Sequence, residues 1–174
     1  MPIQILLVED NSGDVRLMRE VVLGVNNSIH LLVASDGVEA MAFLNREGEY
    51  VRAPRPDLIL LDLNLPRMDG REVLARMKAD DKLKTIPVIV LTTSDAEADI
   101  LKSYQLHANC YICKPGRLDE FEMLVRSINN FWLTAAKLPR QDTDGCEVAL
   151  LPEVQSLGVG ASGTADGTFS LLRP

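Results

Sequence analysis

Glu9, Asp10, Asp62, Thr92 and Lys114 are far apart in the sequence, but each ends or directly follows a short apolar run. If those runs are parallel strands, their carboxyl ends share one edge of a sheet and the side chains meet there. Three carboxylates side by side repel, and each resists ionising alone. A hard divalent cation resolves that conflict, and Mg²⁺ suits carboxylate, carbonyl and water oxygens. Asp62 can then attack a phosphoryl group as a nucleophile and form an aspartyl phosphate. The cation and the Lys114 ammonium neutralise charge on the phosphoryl oxygens, and the Thr92 hydroxyl can donate to one of them. Each residue alone has an ordinary structural role, such as an Asp capping a turn. Their convergence is what singles them out.

The elements that must position them follow from the pattern. Leu58 to Leu61 is an unbroken apolar run, too short for a helix, which reads as a strand buried on both faces. Asp62 closes it, and Pro66 with Asp69-Gly70 forces a loop. Ile3–Val8, Ile29–Ala34, Pro87–Thr92 and Cys110–Cys113 read as four more strands. Between them lie helices: one capped by Asn11 or Ser12, with Val15, Met18, Val22 and Val25 at helical spacing, and one from Asp36 through about Asn45. A third runs from about Gly70 to Ala79 behind Asp69 and Glu72, and a fourth to Leu106 behind a Ser94-Asp95-Ala96-Glu97 capping box. A last helix spans about Leu118 to Leu138. The segment 46–56, charged and holding two prolines, reads as a long exposed loop. Five βα units with short connections imply an α/β fold, a doubly wound parallel sheet with right-handed crossovers.

Composition bounds the function. The 174 residues suit one domain plus an appendage, and 47% hydrophobic content supports a real core. A net charge of −7 argues against nonspecific binding to nucleic acid or anionic membranes. No apolar run approaches the roughly 20 residues of a membrane span, and Met1 leads straight into a strand rather than a signal peptide. Three cysteines give no disulfide framework and fit a reducing, cytoplasmic setting. After Pro139 the chain turns rich in Gly, Ser, Thr, Asp and Pro, so 1–139 reads as the domain and 140–174 as a flexible tail, too short for a typical DNA-binding output module.

On these motifs the chain resembles the receiver domains of two-component response regulators. The matching residues are Glu9-Asp10, the stretch from Asp62 to Gly70, Leu91-Thr92, and Tyr111-Ile112-Cys113-Lys114-Pro115, and the likeness covers residues 3 to about 133. It implies a flavodoxin-like sheet in the order 2-1-3-4-5 flanked by five helices. It also implies that Asp62 takes phosphate from a phosphohistidine on a sensor histidine kinase. Mg²⁺ would be held by Asp10, Asp62 and the Asn64 carbonyl, with Glu9 acting largely through water. Thr92 and Tyr111 resemble the family's switch pair, and Lys114-Pro115 its lysine before a cis prolyl bond. Thr93, His107 and Gly116 depart from the family's usual residues, His107 standing in place of a glycine. The long loop and the Leu-Asp-Leu-Asn-Leu-Pro-Arg-Met-Asp-Gly wording look most like the single-domain receivers paired with cyanobacterial phytochromes.

Other signals are weaker. Cys110 and Cys113 form a Cys-x-x-Cys, but residues three apart on a strand point to opposite faces, and only His107 is a nearby further ligand. Neither a redox pair nor a zinc site is expected. Leu118, Phe121, Val125, Ile128, Trp132 and Ala135 follow a seam-like spacing. The first half of that helix should pack on the sheet, while Phe131-Trp132-Leu133 should outrun it and join a homodimer interface built from helix four, strand five and helix five. The expected function is a stand-alone phosphoaccepting receiver, with self-phosphorylation and autodephosphorylation as its only catalysis. Against it stand two others. An aspartyl-phosphate phosphatase or phosphotransferase for small molecules normally needs an acid where Asn64 stands. A degenerate receiver that only binds partners would not keep the intact pocket.

Overall fold

The computed structural model describes residues 2–25 and 29–139, and the expected tail at 140–174 lies outside them. The chain alternates β1 (Ile3–Val8), α1 (Ser12–Val25), β2 (Ile29–Ala34), α2 (Gly37–Asn45), β3 (Leu58–Leu61), α3 (Gly70–Ala79), β4 (Val88–Thr92), α4 (Glu97–Gln105), β5 (Cys110–Cys113) and α5 (Leu118–Ile128). The strands form a five-stranded parallel sheet in the order β2-β1-β3-β4-β5. The chain therefore winds one way from β1 to β2 and the other way from β3 onward. Open α/β sheets bind ligands at the carboxyl ends of the strands flanking such a reversal.

The continuous apolar runs are explained by burial on both faces. Leu6, Val8, Ile59, Leu61, Val88 and Val90 pack beneath α2 and α3, against Phe43, Val73, Leu74 and Met77. Ile5, Leu7, Leu58, Leu60, Ile89 and Leu91 pack on the opposite face against Met18 and Val22 of α1 and Phe121 and Val125 of α5. Each such side chain contributes about 1.5–3 kcal/mol by leaving water. The predicted alternation in β5 holds, with Cys110 and Ile112 on the α1/α5 side and Tyr111 on the other.

Three helix starts have the caps their sequences advertise. Asn11 Oδ1 accepts from the N–H groups of Gly13 and Asp14, Asp36 Oδ1 from those of Val38 and Glu39, and Asp69 Oδ1 from that of Arg71. Glu39 reaches back one residue further than a capping box requires, to the N–H and hydroxyl of Ser35. The capping box expected before α4 is not formed. Ala96 is the N-cap residue and offers no side-chain bond, because Ser94 Oγ donates instead to Asp99 Oδ2 at 2.6 Å.

The last helix also departs from expectation. It is α-helical only from Leu118 to Ile128 and continues as a π-helical turn, Asn129–Ala135, closed by Ala136 N–H to Phe131 O at 2.8 Å. Phe121, Val125 and Ile128 are buried as predicted, but Leu118 is 62% exposed. Trp132 and Leu133 are half-buried against the α1/α5 core rather than beyond it, while Phe131 is 59% exposed. Wider π turns rotate the side chains that follow, which turns Trp132 inward and leaves Phe131 outside.

Candidate functional site

The ladder bonds run one residue past the strands and level their ends. Glu9 N–H donates to Ala34 O at 3.0 Å, Asp62 N–H to Val8 O at 3.0 Å, and Lys114 N–H to Thr92 O at 2.7 Å. Two glycines then hold the loop between β3 and α3. A Cβ on Gly70 would lie 2.1 Å from Asp62 O and 2.7 Å from Leu63 Cα, and one on Gly37 would lie 2.3 Å from Met68 O. Only glycine permits these approaches, so α3 and α2 press directly on the backbone that carries Asp62. Arg67, in the left-handed region with φ 63°, sends its guanidinium to the buried Asp36 carboxylate, Nε to Oδ2 at 2.7 Å. The loop is thus tied to the cap of α2 as well.

At the edge itself the Lys114 ammonium joins three carboxylates. It donates to Asp62 Oδ2 at 2.7 Å, to Asp14 Oδ2 at 3.0 Å and to Glu9 Oε2. Lys114, Glu9 and Asp62 have side chains only 5%, 3% and 7% exposed. Asp62 Oδ1 accepts from Asn64 N–H at 3.0 Å. Thr92 is fully buried beside it, and its Oγ1 lies 3.4 Å from Asn64 Nδ2. Asp10 is exposed at the mouth, next to Glu9. Glu9, Asp62, Thr92 and Lys114 are therefore brought together, with Asp14 as a member that the sequence reading missed, while Asp10 stays exposed outside these contacts.

Charge is distributed unevenly among these groups. Burial would push Asp62 up, but the Lys114 bond, the Asn64 N–H and the Thr92 hydroxyl hold its carboxyl below the usual value. Glu9 lies above the usual value, because burial outweighs what Lys114 and the Asn11 N–H offer it. Burial would lower Lys114, but its bonds to Asp62 and Glu9 push it up, so it stays an ammonium. The result is an ionised, oriented carboxylate at the end of the central strand.

The expected switch residues sit next to this cluster. Tyr111 is half-buried, its hydroxyl donating to Ser94 O at 2.9 Å, two residues beyond Thr92. Ser94 is bound in turn to Asp99 of α4, which pairs with Arg71 of α3 at 2.6 Å. Arg71 also pairs with Asp69, the α3 cap, at 2.9 Å. One polar chain therefore runs from the end of the Asp62 loop to Tyr111.

One expectation needs correcting. All peptide bonds among the described residues are trans, Lys114–Pro115 included. Trans is the preferred form by about 0.5–1 kcal/mol, and Lys114 reaches the carboxylates without a reversal of the chain. His107 stands where the resemblance expects a glycine. It has φ 63° just past α4, the left-handed position that favours glycine. The Cys-x-x-Cys carries no ligand set: Cys110 is half-buried on one face, and Cys113 is exposed, with Sγ 3.4 Å from Ser94 O. Among the described residues, no three His, Cys, Asp or Glu side chains already form a metal cage.

A doubly wound α/β sheet with an acidic, lysine-crossed site on its carboxyl edge describes a class of phosphoryl-handling signalling proteins. The response regulator receiver domain model matches residues 5–126, and the chain belongs to that family. Members of this family accept a phosphoryl group, and histidine kinases supply it. The chain is 51% identical to the response regulator Rcp1 of Synechocystis sp. over 138 residues, 79% of this chain and 94% of that protein. It is similar to the crystal structure of the phosphorylated cyanobacterial phytochrome response regulator RcpA, with a TM-score of 0.79 and 52% identity over 80% of this chain and all of that one. The Mn²⁺-bound form of Rcp1 gives a TM-score of 0.77 and 51% identity, covering 80% of this chain and 100% of that one.

Proposed function

We propose that Asp62 is the phosphoacceptor, and that the protein is a cytoplasmic signalling receiver acting as a substrate of a histidine kinase rather than as an enzyme for small molecules. The observation that carries this is the Asp62 carboxylate itself: buried, kept ionised below the usual range, and bound to the Lys114 ammonium at 2.7 Å. An Asp62 oxygen bonds to phosphorus as the P–N bond of a phosphohistidine breaks. The electron pair goes to the departing ring nitrogen, which takes a proton from solvent. Lys114 and Thr92 then lie where phosphoryl oxygens would collect.

The donors suit Mg²⁺. One ammonium faces the three carboxylates of Glu9, Asp14 and Asp62, with Asp10 beside them, so the edge holds an excess of negative charge and only oxygen ligands. Asp10, Asp62 and the Asn64 carbonyl would hold the ion, with Glu9 behind them. Bound there, the ion would neutralise charge on the phosphoryl oxygens. The likeness to RcpA and Rcp1 supports a phytochrome-type kinase as the partner.

Thr92 and Tyr111 form the switch in this reading. Drawing Thr92 toward the phosphoryl group disturbs the Ser94 segment, and Tyr111 is held by that segment. A homodimer through α4, β5 and α5 is supported by apolar exposure. Leu101 and Tyr104 on α4, and Leu118, Met123 and Phe131 on or after α5, are all exposed. Sedimentation of the full chain with and without a phosphodonor tests it, and a monomer at high concentration in both conditions rules it out. The central test is intact-mass measurement with Mg²⁺ and a small phosphodonor. One phosphoryl group should add to the wild type and none to Asp62→Asn, and a phosphorylated Asp62→Asn would refute the assignment.

A further inference from the structure

An ammonium has three donors, and all three of Lys114's are taken, by Glu9, Asp14 and Asp62. Both Asp62 oxygens are also engaged, Oδ1 by Asn64 N–H and Oδ2 by Lys114. Each Asp62 oxygen keeps a second lone pair with which to attack. If Oδ2 attacks, its charge passes into the new bond to phosphorus, so its hold on Lys114 weakens as the phosphoryl group arrives, and Glu9 and Asp14 are the partners left to hold the ammonium. These two are not equivalent. Glu9 is 3% exposed at the end of β1, whereas Asp14 is 32% exposed in the first turn of α1. Asp14 thus pulls from a different element, at the rim of the site.

We infer that Asp14 is a positioning residue: it draws the Lys114 ammonium off the attacking oxygen of Asp62 and holds it where it meets the incoming phosphoryl oxygens. The inference rests on Asp62 being the acceptor. It has a rival of opposite sign. If Asp14 acted only through its charge, it would repel an anionic phosphodonor, and removing it would speed the reaction. If it positions Lys114, removing it lets the ammonium settle on Asp62 and slows the reaction.

The experiment follows intact mass with phosphoramidate at saturating Mg²⁺, the P–O bond to Asp62 forming as the P–N bond breaks and ammonia leaves. Asp14→Asn should react roughly fivefold more slowly, the effect of one partly screened charge-assisted hydrogen bond. Asp14→Glu should recover most of the rate, since it keeps the carboxylate. In a Lys114→Ala background, Asp14→Asn should change nothing further. An unchanged or faster Asp14→Asn, a failure of Asp14→Glu to recover the rate, or an equal slowing without Lys114 would overturn the inference. The sign and the rescue decide the matter even where Lys114→Ala reacts too slowly to follow. Phosphate appearing on Asp62→Asn would instead refute the acceptor assignment and leave the Asp14–Lys114 contact standing.

Discussion

Gly70→Ala is the most informative single substitution away from the carboxylates. It adds one methyl group, and the atoms that methyl meets are backbone: Asp62 O at 2.1 Å, Leu63 Cα at 2.7 Å and Asp62 C at 3.0 Å. No side chain can swing aside to make room. Either α3 moves outward, loosening Val73, Leu74 and Met77 in the core, or the Asp62 backbone shifts. Overpacking costs about 1–3 kcal/mol, and a clash with backbone belongs at the upper end. For a domain of this size about 3 kcal/mol lowers the melting temperature by roughly 10 °C. A displacement of Asp62 by about 1 Å would slow phosphorylation by roughly a hundredfold. The control is Gly24→Ala in α1, where nothing lies within 4 Å of the new Cβ and the position is exposed. That change should stabilise the protein by about 0.5–1 kcal/mol. Calorimetry and intact-mass kinetics on both variants read the two effects. A Gly70→Ala protein that melts and reacts like the wild type would show that α3 does not hold Asp62 in place.

Two further perturbations probe the scaffold. Replacing His107 with Gly should raise stability by about 1 kcal/mol in denaturant unfolding, because it relieves a left-handed non-glycine residue at the end of α4. Asp36 gives a pH signature: burial would raise its carboxyl, but Arg67 and the N–H groups of Glu39 and Val38 hold it below the usual value. A depressed carboxylate contributes stability that is present above the unfolded value of about 3.9 and lost as pH falls through the folded one. Asp36→Asn should therefore cost about 1–2 kcal/mol at neutral pH, discounted for the exposed Arg67 partner. Its stability deficit should shrink as the pH falls below about 4, and a deficit independent of pH would argue against the pair.

The parallel sheet was legible because Leu58 to Leu61 and Val88 to Leu91 have no polar interruption, as strands buried on both faces require. The site was legible for a topological reason: parallel strands bring their ends to one edge whatever their separation in sequence. Asn11, Asp36 and Asp69 announced their helices because a short polar side chain before an apolar period has few other uses. Asp14 was missed since its role depends on how far the Lys114 side chain reaches, which no local pattern encodes. The α4 cap failed for a similar reason. Ser94 had a tertiary partner, Asp99, already tied to Arg71. The π turn was invisible because the 3-4 spacing from Leu118 to Ala135 is equally compatible with an uninterrupted α-helix.

That π turn has a consequence for the direction in which the chain leaves the domain. A π turn accommodates one residue more than an α turn for nearly the same backbone bonding, as the Ala136-to-Phe131 bond illustrates. Deleting a single residue within 129–135 would let the segment relax to α geometry and advance the phase of everything after it by about 100°. A deletion ahead of Phe131 would carry Trp132 to the outward position that Phe131 now holds, without any change in chemical type. The surface shown by this end of the molecule is accordingly governed by residue count as much as by residue identity. A one-residue length change here would act as a rotation. The 46–56 segment, expected as an exposed loop, instead holds a 3-10 turn at Gly48–Tyr50, with Tyr50 and Ala53 packed on the core.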